Sequence, residues 1–93
     1  MTTTPYDFKK FAALLDRAGI TAVEASDLFK TSRPSIYHWK KGNTPTQQVT
    51  REYAERLITV IAKAIAAGDL PLPEGQEERM KAYAEVFRRH SGR

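Results

Sequence analysis

The stretch Ser32-Arg33-Pro34-Ser35-Ile36-Tyr37-His38-Trp39-Lys40-Lys41-Gly42 decides how this chain is read. Ile36 and Trp39 are three positions apart, so on a short helix they share one face. Arg33, Ser35, Tyr37, His38, Lys40 and Lys41 then project elsewhere. From Leu28 through Arg51 there are five Lys or Arg and no carboxylate, although the chain holds eleven Asp and Glu. A basic helix with a fixed apolar underside is a surface suited to a polyphosphate. A solvated helix with an ordinary charge excess has the same composition, so the flanking segments must decide.

Upstream, Phe8, Phe11, Leu14 and Leu15 recur at helical spacing, with Pro5 in a first turn and Gly19 as a stop, predicting helix 1 over 6–18. Thr21 with Glu24 three residues later forms a capping box for a short helix 2 over 22–29, with Val23, Ala25, Leu28 and Phe29 inward. Ser32 caps helix 3, where Pro34 is tolerated in the first turn, and Gly42-Asn43 ends it.

Downstream, Thr44 and Gln47 with Pro45 at the first helical position predict helix 4, continuing to residue 67. Its half from 57 to 67 is nearly apolar all round, broken by Thr59 and Lys63, and so calls for cover on most sides. Gly68 and Pro71-Leu72-Pro73 interrupt the chain before helix 5 over 75–90, with a stripe of Met80, Tyr83, Ala84 and Phe87. That stripe is too narrow to cover helix 4 alone, which predicts a second copy of the chain. The expected dimer contacts are Leu57, Ile58, Val60, Ile61, Ile65, Met80, Tyr83 and Phe87.

The fold class is therefore all-α: one compact five-helix domain over 1–93, with a core over 5–57 and a helical extension over 57–93. The net charge of +4 is modest and spread along the chain, which argues against a nonspecific polycation. The absence of cysteine excludes a disulfide framework and a thiolate metal site. The start Met1-Thr2-Thr3-Thr4-Pro5 lacks the pattern of a secretory signal, and no run is long enough to cross a bilayer. A soluble intracellular protein is the default expectation. No paired carboxylates, Gly-rich phosphate loop or metal-ligand spacing appear, and Ser35 with His38 lacks a third group, so an enzyme is not expected. Neither a cofactor, a metal nor a small-molecule substrate is expected.

Two short helices joined by a tight turn, the second basic and anchored by Ile36 and Trp39, describe a helix-turn-helix. From Tyr6 to about Leu57 the sequence resembles the Cro/repressor (Xre-like) family of DNA-binding domains. Gly19, Ser26, Ile36 and Trp39 match the family's packing positions, and Trp39-Lys40-Lys41-Gly42 resembles its Trp-x-x-Gly end. Two departures stand out. Lys30 occupies the turn position where the family usually has glycine, and Ser26 replaces the usual alanine and needs a hydrogen-bond partner.

The resemblance implies that helix 3 enters the major groove of double-stranded DNA, with Ser32, Arg33, Pro34 and His38 facing base edges. Arg33 suits guanine O6 and N7; its alternatives are a phosphate contact or an ion pair with Asp27. Pro34 also serves to start the helix. Thr21, Ser35, Tyr37, Lys40, Lys41, Asn43, Thr44 and Thr46 are the expected backbone contacts, with packing open for Tyr37 and helix-dipole pairing open for the two lysines. The tail from Arg88 to Arg93 is either a second DNA contact or a solvated end. The resemblance further implies a cytoplasmic prokaryotic or phage-type regulator, a homodimeric repressor on an inverted repeat. The alternative is a protein-interaction module of the same fold, antitoxin-like or bridging, with weak DNA binding.

Overall fold

The computed structural model describes residues 6–91, and among them every regular element is helical. Asp7 accepts the backbone N–H of Lys9 at 3.0 Å and caps a 3₁₀ turn, Phe8–Lys10. Helix α1, Phe11–Ala18, follows directly. The expected helix 1 thus begins later than residue 6 and in tighter form, and the assignment of Pro5 to its first turn lies outside the described residues. Helix α2 is Ala22–Leu28, α3 is Arg33–Lys40, α4 is Gln48–Ala67 and α5 is Arg79–His90.

Gly19 ends α1 with φ 69°, the left-handed region that an L side chain enters at a cost of about 1–2 kcal/mol. A Cβ there would also lie 2.8 Å from the Pro71 Cβ, so space and backbone both call for glycine. The capping box forms as expected: the Thr21 hydroxyl accepts from Glu24 N at 3.2 Å, and Glu24 Oε1 accepts from Thr21 N at 3.1 Å. Ser32 caps α3 by accepting from Ser35 N. Lys30 takes φ 55°, so the turn keeps its left-handed residue without a glycine and carries the strain.

The N-terminal half packs around four aromatic rings. Phe11, Phe29 and Trp39 meet edge to face at 5.4–6.0 Å between centroids, and Phe8 joins at 5.6 Å from Phe11 and 5.9 Å from Trp39. Helices α2 and α3, joined by the four residues 29–32, pack closely on each other. Small side chains permit this: α2 buries Ala25 and Ser26, whereas Val23, expected inward, is 48% exposed. The Ser26 hydroxyl donates to the Val23 carbonyl at 2.7 Å, which supplies its partner within the helix.

Helix α4 spans the molecule. Tyr53 Oη donates to the Leu28 carbonyl at 3.1 Å and Glu55 accepts from Tyr6 N at 3.2 Å, tying α4 to both ends of the N-terminal half. Its start is three residues later than expected. Pro45 is drawn into the interior, so the Thr44–Gln47 box cannot form and Gln47 becomes the N-cap without a side-chain bond. The core takes only Ala54, Ile58, Ile61 and Ala64 fully. The second half of α4 reads as apolar all round partly because it is alanine-rich, and Ala62, Ala66 and Ala67 are exposed.

Helix α5 also starts later than expected, because Glu78 adopts φ 51° and helical propagation toward residue 75 stops there. It is rotated from the predicted stripe. Tyr83 and Val86 are buried, while Met80 and Ala84 face outward. The cause is a polar brace across the fold. Arg79 Nε donates to Glu24 Oε2 at 2.7 Å, and Arg79 Nη2 donates to the Gly19 carbonyl at 2.8 Å and to Tyr83 Oη at 2.7 Å. Tyr83 Oη in turn donates to Glu24 Oε1 at 2.9 Å. These bonds fix α5 rotationally against the α1–α2 corner. The paired guanidinium pulls the Glu24 carboxyl down to about 2, and burial, followed by the Glu24 carboxylate, pushes the Tyr83 phenol up.

Candidate nucleic-acid interface

The outer face of α3 follows from its anchoring. Ile36 and Trp39 are buried against the aromatic cluster, so the helix cannot rotate. Residues 33, 34, 37, 38 and 41 then fall within an arc of about 140° on the opposite side. Arg33, Pro34, Tyr37, His38 and Lys41 are all exposed there. Tyr37 is 52% exposed, which removes its alternative as a packing residue. Asp27 does not pair with Arg33, and among the described residues Arg33 makes no ion pair. The face combines a free guanidinium, an imidazole, a phenol and an ammonium without a carboxylate.

The other expected site residues separate into three groups. Ser32 lies at the foot of this face, but its hydroxyl is engaged in the cap and donates to Ser35 Oγ at 3.0 Å. Lys40 is half-buried, with its ammonium 5.9 Å from the Tyr37 ring centroid, and diverges from Lys41. Asn43, Thr44 and Thr46 are exposed just beyond α3. Thr46 borders a polar notch with Ser35, Thr31, Gln47 and Thr50, at the start of α4. That helix end has no acid in its first turn and no side-chain cap, and four hydroxyl-bearing residues, Thr31, Ser35, Thr46 and Thr50, line the notch beside it.

Thr21 stands apart from the cationic face. Its hydroxyl is held in the capping box, and the Glu24 carboxylate already occupies the N-terminus of α2. The Thr21 hydroxyl and the N-terminus of α2 are thus already engaged within the chain, with Glu24 itself paired to Arg79. Ile58, Ile61 and Tyr83 leave the expected dimer contacts, because each is buried within the single chain. Ile65 and Phe87 pack against the same core, leaving Leu57 and Val60 half-exposed and Met80 exposed. Of the tail, Arg89 and His90 both contact Asp69 Oδ2, at 3.1 Å and 2.7 Å. Gly92 and Arg93 lie outside the described residues.

Tertiary packing adds two cations that the sequence window omitted. The 3₁₀ turn packs beside the end of α3, and the Lys9 side chain runs along Gly42, with its Cγ 3.2 Å from where a Gly42 Cβ would sit. Lys9 is exposed there and extends the cationic surface of Lys41, with exposed Lys10 next to it in the chain. They are some thirty residues from it in sequence; Phe8, as an aromatic anchor of the same core, was the available clue.

Among the described residues no group of three His, Asp or Glu is placed to hold a metal ion, and no helix is long and apolar enough to cross a membrane. Comparison with known protein families, with curated proteins and with solved structures returns no match for this chain.

Proposed function

We propose that this protein is a sequence-specific double-stranded DNA-binding regulator of the Cro/repressor type, with α3 as its recognition helix. The carrying observation is the carboxylate-free outer face of α3, on which Arg33 is exposed and unpaired while Ile36 and Trp39 lock its direction. A fixed, exposed guanidinium suits bidentate pairing with guanine, and rigid anchoring is what base reading at this distance demands. Lys41, Lys9 and Lys10 on one side, and the hydroxyl-lined notch at the start of α4 on the other, suit phosphates flanking the groove. A symmetric dimer would present two such faces to an inverted repeat with half-sites about one turn, roughly 34 Å, apart. Occupying an operator in this way would block transcription, which makes repression the simplest outcome.

The test is selection from randomised duplexes with wild type and Arg33→Ala in parallel. An enriched inverted repeat is expected, and Arg33→Ala should lose about 1–3 kcal/mol of discrimination at one base position per half-site. Binding that is purely salt-labile, with no enriched sequence, refutes base reading and favours the protein-interaction reading of the fold.

A further inference from the structure

The outer face of α4 carries an apolar stripe that the core leaves uncovered. Val49, Tyr53, Leu57 and Val60 succeed one another at spacings of four, four and three, within an arc of about 80°. Val49 is 79% exposed and the other three are half-buried. Tyr53 and Arg56 border two adjoining depressions, one running back to Val49 and the other forward to Val60 and Lys63. The result is a continuous groove along most of a 20-residue helix, about 30 Å long.

We infer that this groove receives α4 of a second copy, antiparallel, about a two-fold axis at the helix midpoint. The inference deepens the operator-binding proposal, and rests on it only for what the dimer is used for. The charges on the groove's rim support it. The midpoint of Gln48–Ala67 falls between Leu57 and Ile58, and pairing there gives the greatest overlap of two identical helices. Glu52 and Lys63 are equidistant from that point, each about 8 Å along the axis. Eleven residues make almost three whole turns, so both lie on the same flank of the stripe.

A two-fold perpendicular to both helices keeps a flank on its own side while reversing height, as an isologous contact requires. Glu52 of each copy therefore meets Lys63 of the other, twice per dimer. Glu52 is the sole carboxylate among the residues lining the two depressions, and neither Glu52 nor Lys63 forms an ion pair among the described residues. The register with greatest apolar overlap thus also pairs Glu52 with Lys63, while Arg56, on the same flank beside the midpoint, faces its own counterpart and must splay toward solvent.

Sedimentation equilibrium without DNA tests this, on wild type, Val60→Glu, Glu52→Lys, Lys63→Glu and the double exchange. Wild type should be a dimer at micromolar concentration, and Val60→Glu should weaken it by about a hundredfold or more. Each single charge reversal should weaken it by about five- to tenfold, and Glu52→Lys with Lys63→Glu should return to within about twofold of wild type. Circular dichroism checks that these surface variants remain folded. A wild-type monomer at about 100 μM, or a double exchange as weak as the two singles combined, overturns the inference. A monomer captured on an acidic amphipathic peptide would assign the groove to another protein and equally overturn it. Failure here leaves base selection by α3 unaffected, and failure of base selection leaves the sedimentation result standing, so the two can be told apart.

Discussion

The α2–α3 pair and the α4–α5 pair solve the same packing problem with different chemistry. The first is held from beneath by four aromatic rings and spends its outer face on cations. The second is held at its edge by a half-buried polar network, Arg79 with Glu24 and Tyr83, and leaves an apolar stripe outward. Aromatic packing fixes the direction of α3 without using any charged group, so every charge near it remains available to a ligand. Polar bracing fixes α5 by engaging Arg79 internally, and the outer face of α4 keeps an apolar stripe flanked by exposed Glu52, Arg56 and Lys63. One half therefore presents a cationic surface and the other an apolar stripe.

Several measurements can break that comparison. The largest effect belongs to the aromatic anchor: Trp39→Ala removes the centre of the cluster and should cost about 3–5 kcal/mol in urea unfolding. A loss near 1 kcal/mol would show that the cluster does not hold α3. Glu24→Gln tests the brace, and should cost about 1–3 kcal/mol at neutral pH by stranding Arg79. Glu24 titrates at about 2 in the folded chain against an ordinary value of 4.5. Its contribution is therefore complete above about pH 4.5 and is lost as pH falls through about 2. The variant should show a shallower loss of stability across that window; parallel curves would remove Glu24 from the brace.

Smaller effects sharpen the contrast. Lys9→Ala should reduce the salt slope of DNA binding by about one while leaving base preference unchanged. A changed base preference would place Lys9 in the groove instead of on the backbone. Lys30→Gly relieves a left-handed residue in the turn and should raise stability by up to about 1 kcal/mol. A net loss would mean that the entropy of the glycine outweighs the strain removed.

Much of the N-terminal half was legible because its signals are local. The Thr21–Glu24 box, the Ser32 cap, the Gly19 stop and the inward pair Ile36 and Trp39 each depend on residues within one turn of one another. The expected start of α4 failed for a non-local reason: burial of Pro45 outweighed the Thr44–Gln47 cap. The rotation of α5 was equally hidden, since Arg79 finds Glu24 across 55 residues of chain. Met80 and Ala84 are good apolar stripe residues by spacing, yet both face outward, and Val86 is buried beside Tyr83 instead.

By itself the sequence determined the all-helical class, the caps and stops of the short helices, and the exclusion of carboxylates from 28–51, because propensity, capping and charge are properties of neighbouring residues. Only the tertiary structure decided that Lys9 joins the surface beside α3, that Glu24 already occupies the end of α2 near Thr21, and which apolar side chains of α4 stay outside. Those outcomes depend on how helices far apart in the chain rotate and translate against a shared core, and no periodicity within a single helix encodes that.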